Sequence, residues 1–303
     1  MPEPSPTHSS EAVDPDAAEL RERILGWYDE HARVLPWREP SATPWAVLVS
    51  EVMLQQTPVA RVLPVYEQWL DRWPEPADLS AVPAGEAVRA WGRLGYPRRA
   101  LRLHAAAGAI VERHGGRVPD GYEELIALPG VGDYTAAAVA SFAFGRRHVV
   151  LDTNVRRVLA RTRDGVELPA SAPTRAERER AAGLLPDDGC TAAAWAVASM
   201  ELGALVCVAT APRCDTCPVR DLCRWRAAGY PSHSGVRRTQ RYDGTDRQCR
   251  GRLLAVLRDS PVPVPRRTLE TAWPVDEQRD RCLQWLVDDG LVARVAADAY
   301  ALP

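Results

Sequence analysis

The sequence predicts an all-α protein that ends in a small mixed α+β segment, and three observations predict it. Apolar residues recur at helical spacing in one segment after another. Short loops marked by proline or glycine join those segments. Strand-like runs are few, two of them near Leu291 and Tyr300. With 303 residues, 46% of them apolar and 26% charged, the chain can hold two or three domains, each with a core.

The first dozen residues carry Pro2, Pro4 and Pro6 among serines, with no basic start and apolar core, so residues 1–15 read as a disordered tail without a secretory signal. Residues 16–33 read as a helix, with Leu20, Ile24, Trp27 and Tyr28 at helical spacing, and Leu35-Pro36-Trp37-Arg38 breaks it. Residues 45–54 are almost wholly apolar and form a buried helix that stops near Thr57-Pro58. Helices follow over 59–72 (despite Pro64), 86–94 and 98–114, with loops at Pro74-Glu75-Pro76 and Gly95-Tyr96-Pro97. No apolar run reaches the roughly 18–20 residues a membrane helix needs.

Glu51 is the odd residue in its run. A carboxylate among Val49, Val52 and Met53 loses water and should have a raised pKa, which suits a general acid. Taken alone it could equally be a solvent-facing or arginine-paired glutamate. The second informative stretch is Leu128-Pro129-Gly130-Val131-Gly132. Its glycines permit a sharp turn and close approach of a phosphate, and the backbone N–H groups of the next helix would bind that phosphate. The third is Leu151-Asp152-Thr153-Asn154-Val155, where Asp152 reads as a helix N-cap.

Cys207, Cys214, Cys217 and Cys223 follow the spacing Cys-x6-Cys-x2-Cys-x5-Cys. Four thiols in so short a stretch suit zinc or an iron–sulfur cluster. The basic residues number 38 and all are arginine, so no side chain can form a Schiff base. Net charge is −2, but Arg89, Arg93, Arg98, Arg99 and Arg102 form one basic island and residues 213–241 another, which suits a protein meeting DNA on one face.

The run Glu51-Val52-Met53-Leu54-Gln55-Gln56-Thr57 resembles the signature of MutY-type adenine DNA glycosylases, members of the helix-hairpin-helix glycosylase superfamily. The resemblance extends from about Leu35 to Cys223. It implies a two-lobed glycosylase fold over residues 16–228, with a six-helix lobe at 44–145 and a cluster lobe at 16–43 plus 146–228. It implies a [4Fe-4S] cluster on the four cysteines. The implied partner is double-stranded DNA with a mispaired adenine, opposite 8-oxoguanine or guanine, met by a monomer in the bacterial cytoplasm.

By the same resemblance, Leu35, Trp37, Arg38 and Leu54 line the base pocket, while Gln56 and Tyr96 wedge into the gap or contact the opposite base. Glu51 protonates adenine at N7, a step that, with the Gln55-Gln56 pair, favours a purine. Asp152 stabilises the sugar cation, with Asn154 in the same cluster. Bifunctional relatives carry lysine where this chain has Tyr134, which agrees with the missing lysines. Gly130, Val131 and Gly132 hold the DNA backbone. A thymine or uracil mismatch glycosylase, and a catalytically inactive DNA-binding scaffold, are the rival readings.

Residues 229–244 read as a linker. A Nudix-like domain is implied after it and is not found. Residues 245–303 instead read as helix, proline loop, short helix, helix and two strand-like runs, an order resembling a winged helix. Residues 275–289 carry a net −3, which repels phosphate, so this segment is expected to pack or to bind a protein partner rather than DNA.

Overall fold

The computed structural model describes residues 15–232 and 242–303. The expected tail, apart from Pro15, and the core of the expected linker, residues 233–241, lie outside the described residues. In chain order the first helices are α1 (Pro15–His31), α2 (Pro44–Leu54), α3 (Val59–Arg72), α4 (Pro76–Ser80), α5 (Ala84–Trp91) and α6 (Arg98–His114). They are followed by α7 (Tyr122–Ile126), α8 (Asp133–Phe144), α9 (Thr153–Leu159), α10 (Arg175–Gly183), α11 (Gly189–Leu205) and α12 (Arg224–Ala227). The C-terminal segment adds α13 (Asp246–Asp259), β1 (Val264–Pro265), α14 (Arg266–Glu270), α15 (Asp276–Asp288), β2 (Ala293–Ala296) and β3 (Ala299–Ala301).

Two elements differ from expectation. The loop expected at Pro76 is the helix α4, because Pro76 sits at its first position, where a missing N–H costs nothing, and Glu75 with Asp78 closes a capping box. The expected proline loop after α13 holds β1, which pairs with β3 through Val264–Tyr300. β2 also pairs with β3, giving an antiparallel sheet of order β1-β3-β2.

The chain divides into two compact units. Among the described residues, one comprises 15–34 and 145–232. Its core joins Leu20 and Ile24 of α1 to Val155, Val158 and Leu159 of α9 and to Trp195 and Leu202 of α11. A bidentate pair, Arg33 Nε and Nη2 to Glu201 at 2.7 Å each, ties the end of α1 to α11, where Glu201 is fully buried. The other unit comprises, among the described residues, 35–144 and 242–303. One continuous core runs through it, from Leu35, Trp37 and Met53 to Leu253, Leu257, Leu286 and Tyr300. Arg258 Nε donates to the Val88 carbonyl at 2.9 Å, so α13 is also tied by polar contact to α5.

Candidate active site

Residues 45–53 of α2 are all buried, as the apolar run demands, and Glu51 is only 6% exposed. Thr43 caps the helix by accepting from Ala46 N at 3.2 Å, and Pro44 opens it. The carboxylate is not stranded. Tyr134 Oη donates to Glu51 Oε2 at 2.9 Å. Tyr134 lies in the first turn of α8, two residues after Gly132, so the hairpin's path decides where that hydroxyl falls. The hydrogen bond fixes the orientation of the buried Glu51 carboxylate.

Arg99 organises the end of α2. Its Nη1 donates to the carbonyls of Val52 (2.9 Å), Met53 (3.1 Å) and Gln55 (2.5 Å), while Nη2 donates to Thr57 Oγ1 (3.0 Å) and the Gly95 carbonyl (3.1 Å). Burial lowers its pKa to about 10, still cationic at neutral pH. A cation at a helix C-terminus satisfies carbonyls that the helix cannot. It thereby fixes the turn carrying Gln55 and Gln56 against the loop carrying Tyr96. Gln56 and Tyr96 both adopt positive φ, 54° and 46°, a strained choice for residues with a Cβ. Gln55 Nε2 donates to Thr135 Oγ1 at 3.2 Å, joining the turn to α8.

In the hairpin, Gly130 has φ +79°, and a Cβ there would sit 2.5 Å from the Arg102 Cβ, so glycine is required on two counts. Gly132 has open space in front of it. Gln55, Arg102, Gly130 and Val131 line a common pocket.

In the other unit, Asp152 caps α9. Oδ1 accepts from the backbone N–H of Asn154 (2.9 Å) and Val155 (2.6 Å), and Oδ2 accepts from Asn154 Nδ2 (2.6 Å). Burial pushes the Asp152 carboxyl above the usual carboxylate range, and these three donors oppose it. Asn154 is held in turn, its Oδ1 accepting from Arg157 Nη2 at 2.8 Å. Gly203 of α11 lets the helix approach, since a Cβ there would come 2.7 Å from Asn154. Arg157 also reaches the carbonyls of Gly203 (2.6 Å) and Cys207 (2.7 Å).

All four cysteines border one pocket. Arg161, on a π-helical stretch (Ala160–Asp164) that continues α9, donates to Cys207 Sγ at 3.4 Å and to the Val208 carbonyl at 2.8 Å. Burial pushes the Cys217 thiol up to about 12. Among the described residues no three Cys, His, Asp or Glu side chains close on a single metal position. Four thiols from one short stretch are a donor set that suits zinc or an iron–sulfur cluster.

Of the expected pocket residues, Leu35 and Trp37 are buried in the core beside α2, with Trp37 edge-on to Tyr66 at 5.0 Å, and Leu54 is half-buried. Arg38 closes the short 3-10 turn that follows Leu35. The first basic island is only partly engaged by the protein itself, with Arg93, Arg98 and Arg102 exposed. Arg99 is buried, Arg98 pairs with Asp289 at 3.2 Å, and Arg89 bonds Glu86 and the Arg258 carbonyl. Sequence reasoning missed Arg99, Arg157 and Arg161, because an arginine that serves carbonyls has no local pattern to mark it.

The family model of the HhH-GPD superfamily base excision DNA repair proteins matches residues 49–182, which hold Glu51, the hairpin and Asp152. The adenine DNA glycosylase of Mycobacterium tuberculosis is 50% identical over 307 residues, covering 100% of this chain and 97% of that protein. That of Mycolicibacterium smegmatis is 51% identical over 280 residues, covering 92% and 94%. Among solved structures, a thermostable thymine-DNA glycosylase is similar with a TM-score of 0.64 at 27% identity, covering 72% of this chain and 100% of its own. The tuberculosis match runs through residues 245–303, so the C-terminal segment that set this chain apart from the family pattern is shared with an adenine DNA glycosylase. The chain belongs to the HhH-GPD superfamily and, within it, to the adenine DNA glycosylases of base excision repair.

Proposed function

We propose that the protein removes adenine mispaired with 8-oxoguanine or guanine by hydrolysing its N-glycosidic bond, with no lysine-dependent strand cleavage. The observation that carries the reading is the buried Glu51 carboxyl held by the Tyr134 hydroxyl at 2.9 Å. The glycosidic bond is hidden in the duplex, so the nucleotide must be extruded. Leu35, Trp37, Arg38 and Leu54 surround the extruded base, and Glu51 gives its proton to adenine N7. Tyr134 fixes the direction of that transfer. General acid catalysis is worth about 100- to 10,000-fold. Asp152, oriented by Asn154, stabilises the positive charge that develops on the sugar. Gly130, Val131 and Gly132 take a DNA phosphate, while Gln55, Gln56 and Tyr96 hold the gap.

Cys207, Cys214, Cys217 and Cys223 would hold a [4Fe-4S] cluster, which when bound fixes the basic loop around it and takes no part in base release. The element order of α13 to β3 fits a winged helix. The protein acts as a monomer on chromosomal DNA in the bacterial cytoplasm. No helix among the described residues is long and apolar enough to cross a membrane.

The test is single-turnover base release from A·8-oxoguanine, A·G, T·G and U·G duplexes. Release confined to the two adenine duplexes is expected. Release from T·G or U·G alone would move the protein to the thymine or uracil class, and no release from any would leave a DNA-binding scaffold.

A further inference from the structure

We propose that Arg247, supplied by the C-terminal segment, reads the purine on the intact strand opposite the extruded adenine, together with Tyr96. The inference rests on the adenine-mispair reading above. The Arg247 guanidinium lies 5.3 Å from the Tyr96 ring centroid and 6.0 Å from that of Tyr242. Both rings face solvent, at 49% and 52% exposure. Tyr96 is held in its positive-φ conformation by the loop that Arg99 anchors. A solvent-facing cation between two exposed aromatic rings serves no core, and it offers what a nucleobase needs, a stacking face and donors in one plane.

The charge around Arg247 supports the same use. Asp246 beside it accepts from Gln278 Nε2 at 2.8 Å and Arg281 Nη2 at 2.9 Å, so its charge is engaged within the segment. Asp289 is shared by Arg98 and Arg250, which also docks the end of α15 on the start of α6 and holds α13 close to Tyr96. No ion pair engages Arg247 among the described residues. Two of the acids of α15 that argued against DNA are likewise paired, Asp280 with Arg266 of α14 and Asp276 with Arg279 of its own helix. α13 carries four arginines against two aspartates.

Arginine has donors only. It matches a purine edge rich in carbonyl oxygen: O6 in guanine, O6 and O8 in 8-oxoguanine. The C-terminal segment thus supplies a reader through the first turn of α13 rather than through α15.

The experiment is equilibrium binding of the full chain, wild type, R247A and R247K, to duplexes with a non-cleavable adenine nucleotide opposite 8-oxoguanine, guanine or a baseless residue. R247A should weaken the two purine duplexes by about tenfold or more and change the baseless one by no more than about twofold. R247K keeps the charge but not the planar fork, so it should discriminate as poorly as R247A. Equal loss on all three duplexes, or no loss, overturns the proposal. A wild-type protein that binds the duplexes with this preference but releases no adenine from ordinary ones would instead overturn the functional reading.

Discussion

The Tyr134 hydroxyl and the Glu51 carboxylate meet at 2.9 Å although 83 positions separate them in the chain. The contact joins the helix that follows the hairpin at residues 130–132 to the proposed acid. A shift of the hairpin is therefore felt at Glu51 of α2, through Tyr134 in the first turn of α8.

Glu51→Gln should lower single-turnover adenine release by about 100-fold or more while duplex affinity is kept. Tyr134→Phe leaves the acid in place but loosens its aim. It should cost about tenfold, the worth of one hydrogen bond to a charged group, again without loss of affinity.

Asp152 titrates above the usual carboxylate range because burial outweighs its donors. Its ionised form is the active one in the proposed reaction. Release should therefore fall as pH drops through this raised pKa, placing the acidic limb above that of an ordinary aspartate. Asn154→Ala removes a donor that pulls the pKa down, so the limb should move to higher pH. The stability sign is opposite to that of a salt-bridged aspartate. A folded pKa above the unfolded one means that stability is fully present below the unfolded value and declines as pH rises through the folded one. Asp152→Asn should thus raise the melting temperature at neutral pH while abolishing release, measured by thermal unfolding and the base-release assay.

Removing Arg99 leaves several buried carbonyls without a donor. At about 1–3 kcal/mol for each unsatisfied group, Arg99→Ala should lose roughly 3 kcal/mol or more, read as a fall in denaturation midpoint. Arg99→Lys restores charge but cannot span five acceptors, so it should recover only part of the loss.

Cys214→Ser should lower iron and acid-labile sulfide in the purified protein together, in equal proportion, with weakened DNA binding. Zinc in place of both elements in the unmodified protein would show that the cavity takes another metal.

Much of this was legible in the chain. Glu51 stands out against an apolar run, the two hairpin glycines mark a turn, and Asp152 ends an apolar stretch just where a helix must open. The rest depends on partners distant in sequence. Arg99 reads as one member of a basic island, and only the packing of α2 against the Gly95 loop makes it a structural cation. Arg247 sits in an ordinary helix start, and its meaning comes from Tyr96, about 150 residues earlier. β1 has two residues, Val264 and Pro265, too short for alternation to register. The acids of α15 and its cap looked repulsive when summed by sequence, whereas in space Asp280 and Asp289 are balanced by arginines of other elements, Arg266, Arg98 and Arg250.

Leu253, Leu257, Leu286 and Tyr300 belong to the same apolar core as Met53 and Trp69. A truncation at residue 244, the obvious way to ask what the last 59 residues do, would therefore strip one wall from the interior that holds Glu51. Loss of activity in such a shortened chain would report collapse as readily as lost recognition. Surface point changes are the cleaner way to dissect this enzyme.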